Sequence, residues 1–318
     1  MNRRFALIQA LISLVALFAV VWWASHQEAP ELPHTLGHVM LLVAAAALYA
    51  GATLVRGERW HRILHLTGVD VRRADSYGLV TVGYMGNNVL PARAGEMLRV
   101  VLLDRRTDSS KRALLGTVVA ERLLDAIALA TIFVVVVYGI LRETVPSERP
   151  FLIAAVGLTL LTLFVVALQV LRRHGAFEKV RDWLRPLAGA PRALLSREGA
   201  LLLAVSFAIW ALEASVYLAI AHSVQLDISG MGALYLVALT NLFAMLPAAP
   251  GYVGTFDAAV IFGVKAIGGS GSAAVSYLIL LRFVLFVPIT VVGLLVLVTR
   301  YGGWSRLRAA MRLQTSSA

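Results

Sequence analysis

The chain has 318 residues, of which 59% are hydrophobic and 15% charged, and a mean hydropathy of +0.79. Those values lie outside the range of a soluble globular domain and define an all-α, polytopic helical membrane protein read as one transmembrane domain over 1–318. Cysteine is absent, which excludes disulfides, thiolate metal sites and cysteine nucleophiles, and the net charge of +11 has to be located before it is interpreted.

Apolar stretches long enough to cross a bilayer fall at roughly 5–24, 36–55, 113–140, 151–171, 200–222 and 273–298, predicting about six full spans. The first follows Arg3 and Arg4 as a signal peptide's would. It is too long for a signal core and lacks a small-residue exit before Trp22 and Trp23, so an uncleaved helix is expected. The cations sit between the apolar runs: Arg56, Arg59, Arg62, Arg72 and Arg73, then Arg105, Arg106, Lys111 and Arg112, then 172–197, then Arg300 to Arg312. Segments 25–35 and 223–230 hold no Lys or Arg. That alternation follows the positive-inside rule and predicts the cell (cytoplasmic) membrane with both termini cytoplasmic. It accounts for the excess charge without nucleic acid. Segment 172–199 reads equally as a basic connector or as an amphipathic helix on the inner leaflet.

Two apolar segments are broken. The first, 76–104, contains Leu90-Pro91-Ala92-Arg93-Ala94-Gly95-Glu96, and the second, 231–268, contains Pro247, Pro250, Gly251, Gly254 and Asp257. Residues 76–90 hold three glycines and two asparagines, a poor lipid-facing span. Backbone freed at such breaks must be buried in protein or line a cavity, so both segments are expected to be re-entrant. Half one covers about 36–140 and half two about 200–298, and loop charge predicts opposite orientations, an inverted repeat with the substrate site at the breaks.

Pro91 disfavours helix at Leu90 and suits the first turn of a new helix. The N–H groups of that turn, with Arg93 beside them, would form an anion site near Asn88. Arg93, Glu96 and Arg99 are spaced to share one helix face. Glu121, Arg122 and Asp125 lie inside a long apolar run. Two acids and one base there call for a second cation, with Arg93 or Arg99 the near candidates. Asp257 reads equally as a helix cap or as a substrate contact. Glu213 and Arg282 are lone ionisable residues within spans, functional by default or partners of one another. His61 and His65 are a weak metal pair, and no nucleotide-binding or zinc-protease spacing occurs. No catalytic residue, metal or cofactor is expected.

The ordered motifs Asn88-Val-Leu-Pro91-Ala-Arg93-Ala-Gly95-Glu96-x-x-Arg99, Glu121-Arg122-x-x-Asp125 and Pro250-Gly251-x-x-Gly254-x-x-Asp257 resemble the lysylphosphatidylglycerol synthase transmembrane-region family. That family is the flippase-like domain of the multiple peptide resistance factor. The resemblance spans nearly the whole chain and implies a protein that translocates or handles polar lipids. In the last motif Tyr252, Phe256 and Asp257 stand where the family tends to have glycine, arginine and glutamate. The sequence reaches Ala318 without a soluble domain to transfer lysine from tRNA, so lysyl-lipid synthesis is not expected. The leading expectation is a flippase for a phospholipid or polyprenyl-linked lipid, bound by Asn88, Arg93, Glu96, Arg99, Glu121, Arg122, Asp125 and Asp257. The alternative is a membrane-embedded transferase, with Glu121 or Asp125 as base, or an accessory protein in glycolipid, hopanoid or polyprenyl-lipid synthesis. A homo-oligomer or an envelope-lipid enzyme partner fits either.

Overall fold

The computed structural model describes residues 33–90, 93–107, 109–144, 194–244 and 250–302, with Phe18, Trp22, Ser25 and His26. The expected spans 5–24 (apart from Phe18 and Trp22) and 151–171, segment 172–199 up to residue 193, Pro91 and Pro247 lie outside the described residues. Among the described residues there is no strand, and the helices are α1 (Leu36–Leu66), α2 (Arg73–Val89), α3 (Ala94–Asp104), α4 (Lys111–Thr144), α5 (Arg197–Ser223), α6 (Gly230–Ala244), α7 (Thr255–Ala266) and α8 (Gly271–Tyr301).

The long helices start on polar caps. Thr35, Ser196 and Ser270 accept hydrogen bonds from the N–H of His38, Gly199 and Ala273, each at 3.2 Å. Gly302, in the left-handed region at φ 80°, ends α8. Helices α1, α5 and α8 are long and apolar enough to cross a membrane. The 34 residues of α4 extend roughly 50 Å.

The remaining four helices are shorter. At about 1.5 Å per residue, α2, α3, α6 and α7 measure roughly 25, 16, 22 and 18 Å, each less than the ~30 Å hydrocarbon core. They pair as two antiparallel hairpins, α2 with α3 and α6 with α7. In the first, glycines let backbones touch: a Cβ at Gly86 would lie 2.6 Å from Gly95 Cα, and one at Gly95 would overlap the Gly83 carbonyl oxygen. In the second, a Cβ at Gly263 would lie 2.6 Å from the Leu236 side chain, and one at Gly232 would meet Ile267. Gly95→Ala should therefore force the first hairpin apart, at a cost of about 1–3 kcal/mol or more. A thermal scan of the purified protein should show a lowered midpoint for Gly95→Ala and no lowering for Gly51→Ala, where nothing lies within 4 Å of the added methyl.

Among the described residues, the main contacts between α-helices of the first half have counterparts in the second. Helix α1 packs on α5 at the centre, α2 on α8 and α6 on α4, and the pairs α1–α2, α3–α4 and α4–α5 correspond to α5–α6, α7–α8 and α8–α1. The apolar core lies in two main clusters, one around Tyr217, Val260 and Tyr277 and one around Trp60, Leu79 and Leu103. Helix α1 runs from the first, where it contributes Ala45, to the second, where it contributes Trp60 and Leu64. Its residues Arg56 and Arg59 lie between, and both are buried.

Two expectations are corrected here. The apolar stretch 36–55 does not end at a basic loop, because α1 continues to Leu66 and takes Arg56 and Arg59 into the protein interior. A long helix carries arginines past the apolar limit when carboxylates from other helices wait for them. Helix α3 starts at Ala94, three residues beyond Pro91, because Arg93 takes a left-handed conformation (φ 55°, ψ 34°) and acts as its N-cap residue.

Candidate functional site

The two hairpins meet at their tips. Arg93 places its guanidinium carbon 5.8 Å from the centre of the Tyr252 ring. Gly251 and Tyr252 share the left-handed backbone of Arg93, with φ of 64° and 56°. A Cβ on Gly251 would come within 3.4 Å of the Asn88 carbonyl oxygen, and Arg282 Nη1 donates to the Gly251 carbonyl at 3.1 Å. Asn88 Nδ2 donates to Thr290 Oγ1 on α8 at 2.9 Å, which ties the first tip to the second half.

One ion pair occurs twice. The second leg of each hairpin begins with an acid at its third position, Glu96 in α3 and Asp257 in α7. Each acid is met by an arginine eleven residues after the first residue of the next long helix, Lys111 or Gly271. Arg122 Nε lies 3.5 Å from Glu96, and Arg282 Nε lies 2.5 Å from Asp257. Asp257 also accepts from the Gly254 N–H at 2.8 Å, so it caps α7 as one of its two readings anticipated. Glu96 is bridged to Arg93 at 3.0 Å. An acid thus already sits in the first turn of both short helices, next to the positive helix end that was expected to take an external anion.

Behind the tips lies a buried network. Arg59, fully buried, donates to Asp125 and Ser206 at 2.7 Å and to Glu121 at 3.3 Å. Arg99 donates to the other Glu121 oxygen at 2.6 Å and lies 4.7 Å from the Trp60 ring centre. Arg122 reaches Glu121 and Asp125, both at 3.4 Å. Of the two candidate cations, Arg99 joins the acid pair and Arg93 bridges Glu96 instead, and a further cation is Arg59, which stood among the loop charges. Arg56 pairs with Glu213 across the α1–α5 contact, and its guanidinium lies between the Tyr84 and Trp210 rings. Glu213 and Arg282, read as functional residues or as partners of one another, pair instead with Arg56 and Asp257.

The network walls a cavity of about 90 Å³, lined by both charged and aromatic side chains and large enough for several water-sized groups. Of the eight residues expected to bind substrate, Asn88, Arg93, Arg122 and Asp125 line it. Glu96, Arg99, Glu121 and Asp257 are not on the wall; they hold its arginines and helix ends in place. The wall residues that motif reading missed include Arg56, Tyr84, Trp210 and Tyr252. The repeat of Arg56, Trp60 and Ile63 at helical spacing was the available signal for a buried arginine face. Among the described residues, Arg56 Nη1 and Trp210 Nε1 are buried donors without a partner.

A family model described as the lysylphosphatidylglycerol synthase TM region matches residues 7–293. The chain belongs to that family. Among curated relatives of this transmembrane-region protein is a UPF0104 membrane protein from Methanothermobacter thermautotrophicus, 24% identical, with 90% of this chain and 92% of the relative aligned. A UPF0104 membrane protein from Methanocaldococcus jannaschii is also 24% identical, over 65% of this chain and 90% of its own length. Glycosyltransferase AglD from Haloferax volcanii is 26% identical over 44% of this chain, a stretch that is 22% of that protein. No solved structure matches.

Proposed function

We propose that this protein is a lipid flippase-like transporter that carries a polar, phosphate-bearing lipid across the membrane, with the headgroup in the cavity between the hairpin tips and the acyl or prenyl chains left in the bilayer. One observation carries this reading: two hairpins, each too short per leg to span, meet at a buried cavity that offers unpaired hydrogen-bond donors from Arg56 and Trp210. Irregular backbone at membrane depth is tolerated where it lines such a cavity. The repeated acid–arginine pair and the matched helix contacts support two structural repeats. With the loop-charge alternation they support an inverted arrangement, both hairpins re-entrant from opposite sides and both termini cytoplasmic. Alternating access would then come from rocking the halves about the α1–α5 contact.

The similarity to part of the glycosyltransferase AglD favours, as a second reading, a membrane-embedded role in glycosyl transfer. The candidate bases argue for transport instead. Glu121 is shared by Arg59, Arg99 and Arg122, and Asp125 by Arg59 and Arg122, which leaves neither carboxylate open to take a substrate proton.

Purified protein in liposomes tests the transport reading through the rate at which a fluorescent phospholipid in the inner leaflet becomes accessible to an external quencher. Arg93→Ala and Glu96→Ala should each slow flipping about tenfold, the loss of one charge-assisted contact. Wild-type rates in both variants would sink the proposal.

A further inference from the structure

The cavity wall has one more cation than anion. Among the described residues it presents the guanidiniums of Arg56, Arg93 and Arg122 and the carboxylates of Asp125 and Glu213, a net +1. The groups behind it cancel: Arg59 and Arg99 balance Glu96 and Glu121, and Arg282 balances Asp257. Residues 91–92 and 245–249 carry no ionisable side chain. A surplus charge in a low-dielectric interior is costly until an opposite charge joins it.

The wall has no open carboxylate for a cation; among the described residues its buried acceptor without a partner is the neutral amide oxygen of Asn87. Both Glu213 oxygens are engaged, one by Arg56 and one by Asn241 Nδ2 at 3.5 Å, and Asp125 is held by Arg59 and Arg122. An ammonium group entering here would meet three guanidiniums and no open carboxylate. What the wall does offer is donors for an oxyanion and neutral groups for hydroxyls. Arg56 and Trp210, 3% and 4% exposed, keep buried donors without partners, and Tyr49, Tyr84 and Asn87 lie beside them.

We infer that the cavity selects headgroups with a single negative charge: a phosphodiester whose remaining part is uncharged and hydroxyl-bearing, such as glycerol or a sugar. Zwitterionic, cationic and dianionic headgroups are disfavoured. This selectivity rests on the reading that a lipid headgroup occupies the cavity. A free oxyanion shares the chemistry, so the test separates the two sources.

The full-length protein in detergent is equilibrated with equimolar phosphatidylglycerol, phosphatidylethanolamine, lysylphosphatidylglycerol and phosphatidic acid, and the bound lipid is read by native mass spectrometry. Phosphatidylglycerol should exceed each of the others about tenfold. Arg93→Gln, which makes the wall neutral, should bring the phosphatidylglycerol-to-phosphatidylethanolamine ratio to about one, and Glu213→Gln, which makes it +2, should shift occupancy toward phosphatidic acid. Arg62→Gln, an exposed cation outside the wall, controls for anionic lipid on the basic surface and should leave the ratio at its wild-type value. A ratio that changes in Arg62→Gln and not in Arg93→Gln overturns the inference, as does a wild-type preference for any other headgroup. Displacement of phosphatidylglycerol by an equal concentration of inorganic phosphate overturns a lipid as the source of the anion. Charge selectivity in binding together with absence of flipping in liposomes would leave the inference standing and remove the transport reading.

Discussion

Arg59→Ala should be the most damaging single substitution in the chain. Arg59 holds Asp125, Glu121 and Ser206 from two other helices while itself fully buried. Its removal leaves Glu121 and Asp125 in the interior with Arg99 and Arg122 alone, and breaking one side of a buried ion network costs about 3–5 kcal/mol. For a chain of this size that corresponds to a fall of roughly 10 °C in the unfolding midpoint. Heating the purified protein and following the monodisperse fraction by size-exclusion chromatography should show it. Arg59→Lys should recover part of the loss, since a single ammonium keeps the charge but cannot serve three acceptors in fixed directions. A midpoint within 2–3 °C of wild type for Arg59→Ala, a shift of only about 1 kcal/mol, would mean that the network contributes little to folding.

The pair that joins the halves separates stability from function. Arg56 and Glu213 are both buried and face each other from α1 and α5. Arg56→Ala should destabilise by about 3–5 kcal/mol, because Glu213 is left buried with Asn241 as its remaining partner. The double substitution Arg56→Met with Glu213→Leu removes both charges and fills the space, and most of the stability should return. Coupling between the two sites in a double-mutant cycle should reach about 1–3 kcal/mol. Lipid flipping should remain abolished in the repaired double variant, since its cavity has lost a guanidinium from the wall. A stable double variant that flips lipid at the wild-type rate would show that Arg56 is structural only.

The membrane class, the long helices among the described residues and both broken segments were legible in the sequence because each rests on local pattern. Apolar run length and Pro/Gly punctuation specify helices and breaks without reference to the rest of the chain. The motif arginines and acids were legible too, and of the two cations expected to join the acids on α4, Arg93 or Arg99, it is Arg99 that pairs with Glu121. Pairing over long sequence distances was not. Arg59 meets Asp125 from 66 residues away and Arg56 meets Glu213 from 157 away, and no spacing rule reaches that far. Arg56 and Arg59 also stood in a cation-rich stretch, where the positive-inside pattern gave them a sufficient explanation as loop charges. The partition of the eight candidates into wall and support was equally hidden. Whether Glu96 faces the cavity depends on the rotation of α3 against α2, where Gly86 and Gly95 bring the backbones into contact without any chemistry-bearing residue.

The crossed packing makes each half incomplete without the other. The first hairpin rests its α2 leg on α8, and the second rests its α6 leg on α4. Each half therefore lends its last long helix as the wall for the other's hairpin. A polypeptide of half this length, with one cap acid and one arginine eleven residues into its final helix, would have had a bare hairpin face and an uncovered long helix. Two such polypeptides would have covered both at once.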